Sequence, residues 1–106
     1  MIYEIRWYEA RPGRRDELVA LMDQEVIPFM ESFGIVVVGS YRDVHNEAGY
    51  VWIRRFDDEA HAASRTAEAY GNHRWTDELH DAVLQLMDPH HAVITKVESS
   101  AGSRIA

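Results

Sequence analysis

Glu4, Arg6 and Tyr8 are the residues of this chain whose types and spacing best suit chemistry. Side chains alternate along a strand, so this trio shares one face while Tyr3, Ile5 and Trp7 share the other. An acid, a base and a phenol in one row are either solvated or line a polar cavity. In a cavity, Glu4 and Arg6 hold each other's charge. Tyr8 then offers an O–H donor that stays protonated near neutral pH, and Arg6 can bind a carboxylate or stabilise an enolate oxygen. The same residue types also suit an inter-subunit ion pair that fixes dimer register. Trp52 and Trp75, with Tyr50 and Tyr70, suit the walls of an aromatic pocket, although such residues are more often core or interface anchors. His73 follows the Gly71-Asn72 break in an expected loop and is the histidine best placed for acid–base work. The catalytic candidates are therefore Arg6, Tyr8 and His73, with Glu4, Trp52 and Trp75 as substrate-binding candidates.

Other chemistries find no support. The six histidines show no HxH, HxxxH or HExxH spacing. His90 and His91 are neighbours on an expected strand and point to opposite faces, so no metal site is expected from them. GxSxG, Walker A and GxGxxG patterns are absent, Gly39-Ser40 is a strand position, and nothing calls for a cofactor. There is no cysteine, which removes disulfides and thiolate chemistry. A net charge of −7 argues against nucleic acid and anionic membrane as partners. No apolar run approaches the length of a membrane span. The chain begins directly in a strand pattern, and a cytoplasmic location is the expectation.

The elements that must position these residues can be read from period and punctuation. A first strand spans Ile2 to Glu9, and Arg11-Pro12-Gly13 is turn chemistry. Leu18, Met22, Val26, Phe29, Met30 and Phe33 make one helical stripe between Arg14 and Phe33. Pro28 removes the hydrogen bond to the Gln24 carbonyl and should loosen that helix, which Gly34 ends. Ile35 to Asp43 is a second strand, His45 to Gly49 a hairpin loop, and Tyr50 to Phe56 a third strand. An alanine-rich helix runs from Asp58 to Tyr70, with acids in its first turn. Thr76 is the expected cap of a shorter helix with the stripe Leu79, Val83, Leu86 and Met87, stopped by Asp88-Pro89. His90 to Glu98 is a fourth strand.

The order β-α-β-β-α-α-β predicts an α+β, ferredoxin-like split βαβ fold with one domain over residues 1–98 and a flexible tail over 99–106. Helices on one side leave the other face of the sheet bare. Strands two and three are apolar on both faces, so a second copy packed sheet to sheet is the expected cover, giving a homodimer.

Taken together, several segments resemble the NIPSNAP family over roughly Met1 to Val97. These are Tyr3-Glu4-Ile5-Arg6 with Tyr8 and Pro12-Gly13, Ile27-Pro28, Val38-Gly39-Ser40-Tyr41, Asn46-Glu47, Arg55-Phe56-Asp57 and Trp75. The sequence departs from that pattern at Trp52, where many members have a histidine. The resemblance implies a dimeric α/β barrel. It carries over no settled activity, but other dimeric α/β barrels include cofactor-independent monooxygenases of phenolic substrates and lactone isomerases. Two classes follow as expectations: an enzyme acting on a small aromatic or anionic metabolite in the barrel cavity, or a non-catalytic ligand-binding or scaffold protein. A haem-degrading variant would need an axial histidine in the barrel wall, and strands one to three contain none.

Overall fold

A computed structural model describes residues 1–104. The chain folds as β1 (Ile2–Ala10), α1 (Arg15–Leu21), a π-helical turn (Met22–Val26), α2 (Ile27–Ser32), β2 (Val36–Arg42), β3 (Gly49–Phe56), α3 (Glu59–Gly71), a second π-helical turn (Trp75–Leu79), α4 (His80–Leu86) and β4 (Met87–Glu98). The four strands form one antiparallel sheet in the order β2-β3-β1-β4. This is the expected α+β, ferredoxin-like arrangement.

The first helical segment runs without a break from α1 through the π turn into α2. The loosening expected from Pro28 falls immediately before it: the Ile27 N–H reaches back five residues to the Met22 carbonyl. Proline cannot continue the normal ladder, and the extra residue absorbs the mismatch. The segment ends in a Schellman motif. Gly34 takes φ 78°, its N–H bonds the Glu31 carbonyl at 3.0 Å, and the Ile35 N–H bonds the Met30 carbonyl at 3.3 Å. Leu18, Met22, Val26, Phe29 and Met30 are buried as the stripe predicts, and Phe33 packs at the edge of the core.

Register decides which strand faces meet the helices. Glu4 sits opposite Arg54, Arg6 opposite Trp52 and Tyr8 opposite Tyr50. These even-numbered residues face the helices, with Tyr8, Tyr50, Trp52 and Phe56 in the core. The other face carries Ile5, Trp7, Val51 and Ile53, with Val36, Tyr41, Val93 and Val97 exposed along its edges. A bulge between Val37 and Gly39 puts Tyr41 on this open face, with its ring over Gly39: a β-carbon there would lie 2.1 Å from the Tyr41 hydroxyl.

Two local expectations are corrected. Thr76 does not cap the third helical segment. Asn72 does, its side-chain oxygen accepting the Arg74 N–H at 2.9 Å, so His73 and Arg74 are helical rather than in a loop. β4 begins at Met87 and includes Pro89, tolerated because β4 is an edge strand and has a free side for a residue without N–H. In the segment expected as a tail, the Ser99 N–H bonds the Met1 carbonyl at 3.1 Å and the Ser103 N–H the Ser100 carbonyl at 3.0 Å. Residues 105–106 of that tail lie outside the described residues.

Candidate functional site

The polar row of β1 is buried beneath the helices of its own chain. Glu4 is 4% exposed, and one of its oxygens, Oε1, accepts from two guanidinium groups. Arg54 Nη2 donates to it at 2.6 Å, and Arg6 Nε contacts the same atom. Arg54 is fully buried, and its guanidinium lies 5.3 Å from the Trp52 ring, 5.5 Å from Phe56 and 5.6 Å from Tyr70. Three aromatic faces replace part of the hydration that a buried guanidinium loses. Arg54 Nη1 also donates to the Tyr70 hydroxyl at 3.0 Å, and Arg6 Nη1 to the Tyr8 hydroxyl at 3.1 Å.

Two consequences follow. The first is charge: one carboxylate serves two guanidiniums, leaving the cluster with a net charge of +1. Burial raises the Glu4 pKa, but Arg54 and Arg6 outweigh it and hold the carboxyl below its ordinary range. Burial works against the Arg6 charge too, and is outweighed by the phenols of Tyr8 and Tyr70 and by Glu4, so its pKa lies above the ordinary guanidinium value. The second is direction: each phenol oxygen accepts a guanidinium N–H, which leaves its own hydrogen to donate elsewhere. Burial pushes the Tyr70 phenol up, against the lowering effect of Arg54 and Arg6. The cluster is also rich in donors, since the buried Arg54 Nε and Trp52 Nε1 have no acceptor among the described residues.

Arg6 forms the floor of a cleft between the sheet, α3 and α4. Two lobes, of about 260 and about 470 Å³, share Arg6, Tyr70 and Ile94. The first is walled by Tyr8, Trp75, His80, Val83 and Met87, and the second by Glu4, Thr66 and Lys96. The helices cover β1 and β3 but leave β4 open, so Ile94 on the helix side is 50% exposed and the cleft has a mouth. A larger hollow of about 530 Å³ lies among the surface residues Arg11 to Gly13, Arg15, Asp16, Glu47 and Ala48. It has no buried polar group, so the chemistry concentrates in the Arg6 cleft.

The structure thus brings Arg6, Tyr8, Glu4 and Trp75 to one cleft and places Trp52 beneath it, 5.8 Å from the Arg6 guanidinium. It corrects two expectations. The row faces the helices of its own chain, not the open face of the sheet against which a second sheet would pack. The Glu4–Arg6 pair is intramolecular and buried, not an inter-subunit register device. His73 is not among the lining residues, whereas His80 is, with its ring 5.9 Å from Trp75. Sequence reasoning missed His80 because the π turn places the His80 N–H on the Trp75 carbonyl, five residues back. That stacks residues five apart, which a 3.6-residue period does not anticipate. Arg54 was missed as well, although it stands directly opposite Glu4 once the β1–β3 register is known.

The architecture defines a ferredoxin-like α+β protein with an Arg-floored cleft between sheet and helices. Its fold is that of the NIPSNAP proteins. A NIPSNAP-family protein of unknown function from Agrobacterium tumefaciens superposes with a TM-score of 0.88 at 21% identity, covering 100% of this chain and 94% of that one. An uncharacterised NIPSNAP-domain protein from Burkholderia xenovorans gives 0.85 at 16% identity, covering 97% and 98%. More distantly, a putative antibiotic biosynthesis monooxygenase from Nitrosomonas europaea gives 0.69 at 10% identity, covering 93% and 98%. No family model matches the sequence, and no curated protein matches it.

Proposed function

We propose that the protein binds a small anionic, aromatic metabolite in the cleft over Arg6. The observation that carries this reading is the sharing of the Glu4 carboxylate by Arg54 and Arg6. Arg54 alone can neutralise Glu4, so Arg6 supplies positive charge that an incoming anion can use. The low-dielectric floor strengthens that attraction. The phenol hydrogens of Tyr8 and Tyr70 would donate to the same oxygen, and Trp75, Val83 and Met87 would cover an aromatic body. A chemical role of the cofactor-independent monooxygenase or isomerase kind fits this site, and one fold neighbour is described as a putative antibiotic biosynthesis monooxygenase. In such a role His80, the cleft histidine, takes a proton from an enolisable or phenolic ligand, and Arg6 and the two phenols hold the oxygen that becomes negative. A non-catalytic ligand-binding protein uses the same charge and the same donors without His80.

A thermal-shift screen of aromatic acids and quinones against wild type, Arg6→Met and Tyr8→Phe tests this. The expected result is stabilisation of wild type by a carboxylate or phenolate ligand, weakened in Tyr8→Phe and lost in Arg6→Met. Arg6→Met leaves Glu4 paired with Arg54 and should remain folded. If no compound shifts wild type, or if Arg6→Met responds like wild type, the anion-binding reading falls.

We also propose that a second copy of the chain covers the open face of the sheet. Val36, Tyr41, Val93 and Val97 are each at least 39% exposed there. With the half-buried Ile5, Trp7, Val51 and Ile53, they make a continuous apolar surface of the kind that marks an interface.

A further inference from the structure

We propose that Glu9, Asp88 and His91 form a binding site for a first-row divalent transition metal ion, with Zn²⁺ as the best fit. The three residues come from adjacent strands, Glu9 from β1 and Asp88 and His91 from β4. The pairing of these strands explains the cluster. Trp7 pairs with Val93 and Glu9 with Asp88, so two steps along β1 are matched by five along β4. The surplus residues bulge, and His91 folds over the Glu9–Asp88 pair. One ligand atom from each side chain lies within 4.8 Å of the other two.

Within the cluster one spacing is already that of two ligands on one ion, and one contact is a hydrogen bond that an ion would have to replace. His91 Nδ1 lies 3.5 Å from Asp88 Oδ2, long for a hydrogen bond. It is close to the edge of a tetrahedron with metal–ligand bonds near 2.1 Å, about 3.4 Å. Asp88 is oriented from behind: its Oδ1 accepts the His90 N–H at 2.9 Å, which turns Oδ2 toward His91. Hydrogen bonds of this outer kind position metal ligands generally. His91 Nδ1 also hydrogen-bonds with Glu9 Oε2, and a bound dication would require that contact to open.

The charge agrees. Two carboxylates and a neutral imidazole sum to −2, and among the described residues no Lys or Arg pairs with any of the three. One imidazole nitrogen with two carboxylate oxygens favours Zn²⁺ and its neighbours over the all-oxygen ions Mg²⁺ and Ca²⁺. Three protein ligands leave a coordination position open to water, the arrangement of reactive rather than purely structural zinc. In the single chain the side chains of Glu9, Asp88 and His91 are 35%, 31% and 60% exposed, which gives an ion a path in before a second copy covers the face. The cluster shares the open face of the sheet with Trp7, on the opposite side from the Arg6 cleft, so this site stands independently of the ligand reading above.

The test is a titration of untagged, metal-stripped protein with Co²⁺, followed by visible absorption, with Zn²⁺ competition and thermal stability measured in parallel. Wild type should develop visible bands saturating at one Co²⁺ per chain, displaced by Zn²⁺, and Zn²⁺ should raise its Tm. His91→Ala removes a ligand and should weaken binding more than about a hundredfold, beyond the roughly 10–100-fold loss typical of an outer-shell change. Asp88→Asn keeps the acceptor for the His90 N–H and should also lose affinity while remaining folded. His90→Ala, altering the sequence neighbour outside the cluster, should bind as wild type does. The proposal is overturned if wild type shows no saturable Co²⁺ spectrum, if His91→Ala binds as tightly as wild type, or if His90→Ala loses binding to the same extent, which would mean adventitious coordination by surface histidines.

Discussion

Replacing Glu4 with Gln probes the centre of the proposed site. The substitution keeps the size and hydrogen-bonding shape of the side chain and removes its charge. Arg54, fully buried, would then face Arg6 with no counter-ion between them. Stranding a buried charge in this way costs about 3–5 kcal/mol. A domain of this size is stable by only about 5–15 kcal/mol, so the loss is a large fraction of the total. At roughly 4 °C per kcal/mol, the Tm should fall by about 12–20 °C. Urea unfolding followed by the fluorescence of the three tryptophans would measure it. The pH dependence supplies a second readout. The folded-state pKa of Glu4 is depressed below the ordinary value of 4.5. Its contribution is therefore fully present above pH 4.5 and is lost as pH falls through the folded pKa. The gap between wild type and Glu4→Gln should be constant from neutrality to about pH 5 and close below it. Adding Arg6→Met to Glu4→Gln should recover part of the loss, because one of the two like charges is gone. A cost below about 1 kcal/mol, flat from pH 3 to 7, would refute the shared-carboxylate account.

Three further outcomes are expected. Phe29→Ala should cost about 3–5 kcal/mol in urea unfolding, since Phe29 is 5% exposed and packs 5.1 Å from Phe33 and 6.4 Å from Trp75; a loss under about 1 kcal/mol would put that stripe in solvent. Asp58→Ala should cost about 1 kcal/mol, because its carboxylate accepts the His61 N–H at 2.8 Å and caps α3; no change in Tm would mean water replaces the cap. Light scattering at micromolar concentration should give twice the 12.2 kDa chain mass; a clean monomer would refute the covered open face.

The sequence carried the order of elements and the membership of the polar row, because both depend on local period and punctuation. It carried Trp52 as the neighbour of Arg6 because a short hairpin and strand alternation leave few choices. Which side of the sheet the row would face was not legible. The strands are apolar on both faces, so alternation alone could not separate helix side from open side, and it left Glu4–Arg6 as readily between subunits as within one. His80 and the Glu9–Asp88–His91 cluster were hidden for a different reason. Each depends on an inserted residue or bulge, the π turn at Trp75–Leu79 and the irregular pairing of β4. Such insertions break the regular spacing that pattern reading relies on, and they gather at functional positions for the same reason.

Arg54 shows what register adds to alternation. Read along β3, it is one polar residue among Tyr50, Trp52 and Phe56, an unlikely core position for a guanidinium. Placed opposite Glu4, it becomes the residue that decides what Arg6 can do. Without Arg54, Glu4 and Arg6 would neutralise each other, and the cleft floor would carry no net charge. With Arg54 held under three aromatic rings, Glu4 is satisfied from below and Arg6 keeps its charge toward the cleft. A buried ion pair replaced by apolar residues often leaves stability unchanged or improved. Folding alone therefore gives little reason for two guanidiniums on one carboxylate. An arrangement that leaves one positive charge beside two phenols lining the same cleft is more economically explained by an anion that binds there.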